Sequence, residues 1–441
     1  MLKPRVGYYA VYEPTEEGWE DFAERSRAIQ DDLGSQGMEV EAAPEPVCDE
    51  ASCKRVATWF TGKEIDLLHP LIVTWSFDHY TILIQQSSGL PVAIRTTPGI
   101  RTGSIVGGQQ LGSVLTDLGV EHKLLYGPAG SADAAAETAL YARACALKRS
   151  LRGARFAMIG PRTAGMTPTA IDEVELIRLF GIVLTNFGLE DLMDLAAMIE
   201  PAEAEAEWRR VSGAATSVTS ASADGLSAMR NYLAIRRLVG EYGLQGIAMG
   251  AYPRCLGTMC VPLGLLNEEG IAAGCEGDVN ATIVTYLLNQ LTGRPVHFGE
   301  MLEIDEQSNT IVSSHCGSAP PSLADAGGYV LCPVRLAHSG VAIRFTSKPG
   351  PISFVNLVGR RSNYRLCAFQ GEAVPTGMVF EGNPLKIRLR SPIRRIWDAV
   401  NRHGFGHHWM SAYGHVAPVL AEFCRMTGVR GVFPDEPHPQ A

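Results

Sequence analysis

The sequence predicts an α/β protein: two domains built on doubly wound parallel sheets, followed by a β-rich, antiparallel barrel-like C-terminal domain. In the first two thirds of the chain, short apolar runs alternate with amphipathic helical segments, which is the pattern of parallel strands joined by crossover helices. After about residue 295, strand-like runs follow one another with turn residues between them and no intervening helix. We therefore predict domains at residues 1–152, 153–294 and 295–441.

The N-terminal domain is predicted to begin with a strand at Val6–Val11 and a helix at Glu17–Gln36, which has acidic residues in its first turn. Asp66–Trp75 is apolar enough for a buried strand, and the proline within it should bend that strand or mark its start. The glycine-rich, polar segment Gly99–Gly112 is predicted to be a long loop at a strand end. Two further strands are predicted at Pro91–Thr96 and His122–Tyr126.

The central domain is predicted to start with a strand at Arg155–Gly160, followed by a polar loop. The stretch Glu203–Gly240 is largely helical by its pattern, and Gln245–Ala251 is a strand. Apolar residues in Asp278–Leu291 recur at helical spacing. Val174–Phe187 mixes helical and strand-like apolar residues, so the pattern leaves it unassigned.

The C-terminal domain is predicted from short apolar runs separated by turn residues. These strands are Val330–Leu336, Gly340–Ser347, Ile352–Val358, Tyr364–Gln370 and Lys386–Ser391. One final helix is predicted at roughly Met410–Met426.

Composition and charge exclude several classes of function. The formal charge of −9 gives no electrostatic basis for binding nucleic acid, and the basic segment Lys386–Arg395 alternates like the solvent-facing side of a strand. No apolar window of about 18 residues could span a membrane, and the N-terminus has no apolar signal core. None of the ten cysteines forms a Cys-x-x-Cys pair, so we expect reduced thiols in a cytoplasmic protein. The chain has no glycine-rich nucleotide-binding motif, so no nucleotide cofactor is expected.

Four residues of the C-terminal half, Glu276, Glu300, His315 and His408, are interpreted as one divalent-metal site. Each is predicted to lie at the end of a helix or strand, in a local sequence context that a residue of the hydrophobic core would not need. Two carboxylates and two imidazoles suit Mn²⁺, Co²⁺ or Fe²⁺ better than an all-oxygen magnesium cage. Taken singly, each residue has an ordinary alternative: a carboxylate favoured at a helix start, a hydrogen-bonded loop histidine, or a solvated histidine pair. Only their joint occurrence favours the metal site.

Such a set suits the interconversion of an aldose and its ketose. A divalent ion that chelates both sugar oxygens stabilises the enediolate charge that develops between them. Carboxylates beside the chelate can remove and return the proton. Glu276 and Glu300 are separated by one predicted helix and a short strand, so both can lie at strand ends that face one crevice.

Four motifs resemble the L-fucose isomerase/L-arabinose isomerase superfamily, and the similarity covers about residues 245–428. They are Cys-Glu-Gly-Asp-Val-Asn (275–280), Pro-Val-His-Phe-Gly-Glu (295–300), Ser-His-Cys-Gly (314–317) and His-His-x-x-x-x-Tyr-Gly-His-Val (407–416). The resemblance implies that Glu276 and Glu300 are metal ligands and catalytic bases, and that His315 and His408 are further metal ligands. The ligand types follow the arabinose branch, whereas the residues after His408 resemble the fucose branch. The chain is therefore identified as an outlying member. Family members are trimers or hexamers whose active sites borrow residues from a neighbouring subunit, so the resemblance implies a homo-oligomer with its active site near subunit interfaces.

Three further residues are weaker candidates for substrate binding. Trp75, at a predicted strand end, could stack on a sugar or simply belong to the core. Arg162 could hold an anionic substituent such as a phosphate or sulfonate, or lie on the surface. His407 is expected to leave the chain in a different direction from His408 and to act through a neighbouring residue.

Asp278 could support the metal site or cap the following helix.

The sequence thus predicts a metal-dependent aldose–ketose isomerase that acts on a free pentose, hexose or deoxy sugar. The expected cofactor is Mn²⁺, with Co²⁺, Fe²⁺ or Mg²⁺ as alternatives, and no nucleic-acid or membrane partner is expected. A sugar epimerase or an aldolase with the same metal site is a second interpretation, because both reactions use the same charge stabilisation. A non-catalytic sugar-binding protein is a third, since tandem doubly wound domains also form such receptors.

Overall fold

The computed structural model describes residues 1–436. Its contacts divide the chain into two compact units: an N-terminal unit, Leu2–Ser150, and a C-terminal unit that comprises Met1 and the chain from Leu151 onwards. Parallel sheets occur in both units, and the C-terminal unit also has an antiparallel sheet, so the predicted α/β fold is confirmed. The further division of the C-terminal unit at residue 294 stays a prediction.

The N-terminal unit is one five-stranded parallel sheet with its crossover helices. Its strands are β1 (Arg5–Val11), β2 (Glu39–Ala42), β3 (Leu67–Ile72), β4 (Val92–Thr96) and β5 (His122–Tyr126). Its helices are α1 (Phe22–Ser35), α2 (Glu50–Phe60), α3 (Asp78–Ser88), α4 (Ser104–Asp117) and α5 (Ala132–Leu151). The strand order β2-β1-β3-β4-β5 places β1 beside β3, and every pairing is parallel.

Two expectations for this unit need correction. The segment Gly99–Gly112 is not a long loop, because α4 begins at Ser104. Its glycines let the helix lie close to the sheet: a Cβ at Gly108 would come within 2.3 Å of a methyl carbon of Thr96. The proline of the predicted strand Asp66–Trp75 does not mark the start of β3, since Pro70 lies inside the strand opposite Tyr9 of β1.

The C-terminal unit begins with a four-stranded parallel sheet. Its strands are β6 (Arg155–Ile159), β7 (Val183–Phe187), β9 (Gly246–Met249) and β10 (Ala272–Gly274). The associated helices are α6 (Glu173–Phe180), α7 (Leu189–Ala197), α8 (Pro201–Ala214), α9 (Ser222–Tyr242), α10 (Cys260–Glu268) and α11 (Val279–Thr292). In the order β10-β9-β6-β7, β6 lies between β9 and β7, the next strand in sequence.

The structure resolves two uncertain stretches of this sheet region. The unassigned segment Val174–Phe187 forms most of α6 and all of β7. The predicted helix Glu203–Gly240 is interrupted between α8 and α9 by the short strand β8 (Ser217–Val218). The interruption occurs because this segment pairs with β13 (Val330–Val334), whose other neighbour is β14 (Ser339–Arg344).

The remaining strands form an antiparallel barrel. They are β11 (His297–Asp305), β12 (Thr310–Ser314), β15 (Gly350–Val358), β16 (Arg365–Val374), β17 (Leu385–Leu389) and β18 (His408–Tyr413). Their order is β15-β18-β11-β12-β17-β16, and a long pairing of β15 with β16 closes the barrel. The short strand β19 (Arg430–Val432) pairs in parallel with β16. The helices α12 (Ile393–His403) and α13 (Ala417–Thr427) complete the unit.

The predicted final helix, Met410–Met426, is wrong in its first third. Residues up to Tyr413 belong to β18, and α13 begins only at Ala417. All six residues of β18 are buried, because the strand lies between β11 and β15 and is covered on both faces. A continuous apolar run of this kind does not distinguish a buried strand from a buried helix. Within residues 1–436, no helix is both long and apolar enough to cross a membrane.

Candidate metal centre

Glu276 is held inward by a tight turn between β10 and α11. Glu276 and Gly277 both have left-handed backbone conformations, with φ of 64° and 70°. Such a φ is uncommon for a residue with a side chain, so the surrounding contacts must hold the turn in place. The carbonyl oxygen of Glu276 accepts a hydrogen bond from the Thr163 amide at 3.2 Å, and the Gly277 amide donates to the Met249 carbonyl at 2.9 Å. The Glu276 side chain is consequently buried, with 6% of the residue exposed.

The other three proposed ligands come from the barrel. Glu300 lies in the middle of β11, directly opposite His408 on β18 on one side and Ser314 on β12 on the other. The expectation that Glu300 ends a strand is therefore wrong; the barrel register, not a strand end, brings it to the site. His315 immediately follows the last residue of β12, and both histidines are 3% exposed.

The Glu276 carboxylate is the centre of the cluster. Its Oε2 lies 3.1 Å from His408 Nε2 and 3.7 Å from His407 Nε2, and its Oε1 lies 3.9 Å from His315 Nε2. Three overlapping groups offer potential ligand atoms that lie within 4.8 Å of one another. They are Glu276/His407/His408, Glu300/His315/His408 and Cys275/Glu276/His315. The four residues predicted from the sequence are thus brought together, through the Glu276 and His408 side chains.

Asp278 does both of the things that the sequence allowed. Its Oδ1 accepts a hydrogen bond from the Ala281 amide at 3.0 Å and so caps α11. Its Oδ2 lies 2.8 Å from Nδ1 of His408, whose other nitrogen faces Glu276. A carboxylate on the remote nitrogen of a ligating histidine fixes the orientation of the ring and its tautomer. Asp278 therefore positions His408.

An aromatic side chain packs against both buried imidazoles. The ring centroid of Phe298, on β11, lies 5.1 Å from that of His315 and 4.8 Å from that of His408. Phe298 is 1% exposed, so neither imidazole can rotate into the space that it fills. This packing limits the rotamers of both histidines and holds the cluster in a fixed arrangement.

His407 lies closer to the cluster than the sequence suggested. The expectation that it leaves in a different direction from its neighbour is wrong: its ring centroid is 4.0 Å from that of His408, and both rings face the same oxygen of Glu276. It differs in exposure, because 35% of its side chain is accessible against 2% for His408. His407 therefore lies where a substrate can reach it.

Sequence reasoning also did not single out Cys275 as a member of the cluster. Burial raises the pKa of its thiol well above the usual range. An oxygen- and nitrogen-rich site favours harder metals than those that select sulfur.

The two glutamates have unlike electrostatic environments. Burial raises the pKa of Glu276, but the imidazoles of His407 and His408 lower it by more, so its pKa lies well below the usual range. Burial also raises the pKa of Glu300, and the nearby His408 does not offset that increase. Glu276 is accordingly an ionised carboxylate, whereas Glu300 binds a proton more readily. Such a difference is typical of paired carboxyl groups with separate roles.

The two buried histidines differ in the same way. Burial lowers the pKa of His315 to about 4, so its imidazole is neutral and can offer a lone pair. Burial also lowers the pKa of His408, but the hydrogen bonds to Asp278 and Glu276 outweigh it and raise that pKa to about 9. His408 thus lies between two carboxylates, with Asp278 at its Nδ1 and Glu276 at its Nε2.

The chemistry of the cluster fits a divalent transition ion. The Nε2 of His407, which lies 3.7 Å from the Glu276 carboxylate, is a buried atom without a hydrogen-bond partner among the described residues. An unpaired buried polar atom is costly, so such atoms point to a group that pairs with them. Carboxylate oxygens and imidazole nitrogens are ligands that suit Mn²⁺, Fe²⁺ and Co²⁺. The residues present are therefore compatible with a bound metal ion.

Two of the weaker candidates lie in different units. Arg162 follows β6 in the C-terminal unit, and its Cα packs against Gly277, where a Cβ would approach to 2.7 Å. Trp75 follows β3 in the N-terminal unit, and its indole N–H donates to the Gln110 side chain at 3.0 Å. A role for Trp75 in sugar binding stays a prediction.

No family model matches the chain, but it is similar to curated proteins. It is 24% identical to the sulfoquinovose isomerase of Alkalicoccus urumqiensis over 74% of this chain and 75% of that protein. It is 28% identical to the sulfoquinovose isomerase of Clostridium sp. (strain MSTE9) over 65% of this chain and 66% of that protein. It is also 23% identical to the L-arabinose isomerase of Nocardioides sp. (strain ATCC BAA-499 / JS614) over 75% of this chain and 69% of that protein. At these low identities the chain is similar to sulfoquinovose isomerases and to an L-arabinose isomerase, which agrees with the resemblance of the motifs around the cluster to the L-fucose isomerase/L-arabinose isomerase superfamily.

Proposed function

We propose that this protein is a metal-dependent aldose–ketose isomerase that acts on a free sugar through an enediol intermediate. The position of the buried Glu276 carboxylate carries the proposal, because it lies between the imidazoles of His315 and His408. Glu300 supplies a second carboxylate, in register with His408 across the barrel. The names of the relatives, sulfoquinovose isomerase and L-arabinose isomerase, support the same class of reaction.

Four residues would hold the metal: Glu276, Glu300, His315 and His408. The ion is Mn²⁺, with Co²⁺, Fe²⁺ or Mg²⁺ as alternatives, since carboxylate and imidazole ligands suit these metals. When bound, the ion supplies Lewis-acid stabilisation of the negative charge that develops on two adjacent sugar oxygens.

The proton transfers belong to the two glutamates. Isomerisation requires that one base remove a proton from the carbon beside the carbonyl group and that a proton return to the neighbouring carbon. Glu276 and Glu300 both face His408, one across 3.1 Å and the other in strand register, so they share one small volume. Each can act only if its side chain reaches the sugar carbons, which lie beside the two oxygens that react.

Three other residues set the conditions for that transfer. Asp278 fixes the ring of His408 through a 2.8 Å contact with its Nδ1. Phe298 fills the space beside the imidazoles and excludes water from that side. His407 presents the most accessible imidazole of the cluster and contacts the substrate.

The substrate is a free pentose, hexose or deoxy sugar. Sulfoquinovose, a hexose with a sulfonate on its terminal carbon, is the first candidate because relatives carry its name. A trimeric or hexameric assembly and a cytoplasmic location stay predictions from the sequence.

The test is a panel of aldoses incubated with Mn²⁺-loaded protein and analysed by NMR. The panel comprises L-arabinose, L-fucose, D-glucose and sulfoquinovose. We expect at least one of them to yield its ketose. An epimeric aldose as the product would identify an epimerase, and cleavage of a carbon–carbon bond would identify an aldolase. If no aldose reacts, the proposal fails.

A further inference from the structure

A large cavity opens at the carboxyl end of the parallel sheet of the C-terminal unit. Its volume is about 780 Å³, and it is lined by the loops that follow β6, β7 and β9. Because β6 is flanked by β7 on one side and β9 on the other, the crossover connections diverge here. In open α/β sheets, ligands bind in the crevice at such a switch point. A cavity of this size exceeds what a six-carbon sugar fills.

Two arginines, Arg162 and Arg254, line this cavity. Within residues 1–436, neither forms an ion pair with a carboxylate, and the only hydrogen bond from Arg162 is a 3.4 Å contact with the Thr163 carbonyl. The cavity wall contains a single carboxylate, Glu190, so its formal charge is positive. Arginines that face a cavity without acidic partners favour an anionic ligand, since the planar guanidinium binds sulfonate and phosphate oxygens in pairs.

The cavity is tied to the metal centre by short contacts. The Thr163 amide donates to the Glu276 carbonyl, and the Thr163 hydroxyl donates to the Tyr252 carbonyl at 3.2 Å. Tyr252 lines both this cavity and the small, apolar-walled cavity that contains Glu276 and His315. The linings of the two cavities therefore meet at Tyr252, beside the hydrogen bond between Thr163 and Glu276.

We infer that Arg162 and Arg254 form the subsite that binds an anionic group on the terminal carbon of the sugar. The inference rests on the proposed function, because it takes the cluster around Glu276 as the place where the other end of the sugar reacts. Sulfonate and phosphate share the chemistry that the two guanidinium groups recognise. The subsite thus selects a terminally anionic aldose over a neutral one.

The test measures binding, so that it does not depend on turnover. The ligands are glucitol, glucitol with a terminal phosphate and glucitol with a terminal sulfonate, none of which has a carbonyl group to isomerise. Titration calorimetry of the Mn²⁺-loaded wild type should give about 100-fold tighter binding of an anionic ligand than of glucitol, about tenfold for each arginine. Tighter binding of the sulfonate than of the phosphate assigns the subsite to sulfonated sugars, and the reverse order assigns it to sugar phosphates.

The variants are Arg162→Gln, Arg254→Gln and the double variant. Each single change should reduce the preference for the anionic ligand about tenfold, the usual scale for one charge-assisted hydrogen bond, and the double variant should abolish it. Arg155→Gln is the matched control, because Arg155 is an exposed arginine at the opposite end of β6. It should leave the preference unchanged, and thermal unfolding checks that every variant is folded.

Two results would overturn the inference. One is a wild type that binds the anionic and neutral ligands equally; the other is a double variant that keeps the full preference. The failure of the proposed function looks different: the wild type would then isomerise no aldose, whether or not its anion preference depended on the arginines. The two proposals can therefore fail separately.

Discussion

Replacing Asp278 by asparagine distinguishes the two functions of this residue, which are to orient His408 at the metal centre and to cap α11. Asp278 holds two partners with two oxygens: the Ala281 amide at 3.0 Å and His408 Nδ1 at 2.8 Å. Asp278→Asn retains an oxygen that can cap α11, but it removes the negative charge that orients His408. Asp278→Ala removes both functions.

The expected magnitudes follow from these two contacts. Loss of the partner of a ligating histidine lowers metal affinity by roughly 10- to 100-fold, or about 1.4–2.7 kcal/mol. Loss of a helix cap costs about 1 kcal/mol of folding stability. We therefore expect Asp278→Asn to weaken Mn²⁺ binding by that factor with little change in the unfolding temperature of the metal-free protein. Asp278→Ala should weaken binding and lower the unfolding temperature as well.

Competition between the protein and a fluorescent chelator measures the Mn²⁺ affinity, and calorimetry of the metal-free protein measures its unfolding. Asp172→Asn is the matched control, because Asp172 caps α6 by accepting from the Glu175 amide at 3.2 Å. That change should leave Mn²⁺ affinity unaltered. An affinity of Asp278→Asn within about twofold of wild type would refute the argument that Asp278 positions a metal ligand.

Three further predictions concern the cluster and one distant histidine. Glu276→Gln and Glu300→Gln should each lower turnover by at least about 10²-fold in a folded protein, and near-normal turnover of either variant would remove that residue from proton transfer. His408→Ala should weaken Mn²⁺ binding severely, because His408 is buried and its ring is held in one orientation. His407→Ala should mainly lower turnover, because His407 is more exposed. Equal Mn²⁺ affinities of His408→Ala and wild type would contradict this prediction. Burial lowers the pKa of His69 from 6.5 to about 4, so His69 binds a proton less readily in the folded state than in the unfolded state. The folding stability that neutral His69 contributes is therefore lost as the pH falls from 6.5 to 4. His69→Asn, which can still donate to the Ala93 carbonyl, should make unfolding less dependent on pH in that range, and an unchanged dependence in urea titrations would contradict the prediction.

The sequence was most informative where chemistry and local pattern agreed. Glu276, Glu300, His315 and His408 were selected by residue type and motif, and the fold brings all four together. The fold class followed from the alternation of strand-like and helical segments. Strands of a parallel sheet are buried on both faces, so they appear in the sequence as continuous apolar runs.

The sequence failed where the outcome depended on neighbours distant in the chain. Residues 410–413 became part of β18 only because β11 and β15 flank them, and no local pattern contains that information. The helix at Ser104 was missed because its glycines look like loop residues until the sheet that they approach is known. Likewise, the contact of Asp278 with His408 spans 130 residues of sequence, so the sequence allowed a supporting role for Asp278 without showing that His408 is its partner.

The proposed function requires that the chain isomerise a sugar at a divalent metal held by Glu276, Glu300, His315 and His408. This is tested by the rate of ketose formation from the best aldose of the panel in three preparations: chelator-treated protein, and the same protein reloaded with Mn²⁺ or with Ca²⁺. We expect no ketose after chelation, recovery with Mn²⁺, and little recovery with Ca²⁺, which prefers more oxygen ligands. Full ketose formation by the metal-free protein would contradict this expectation.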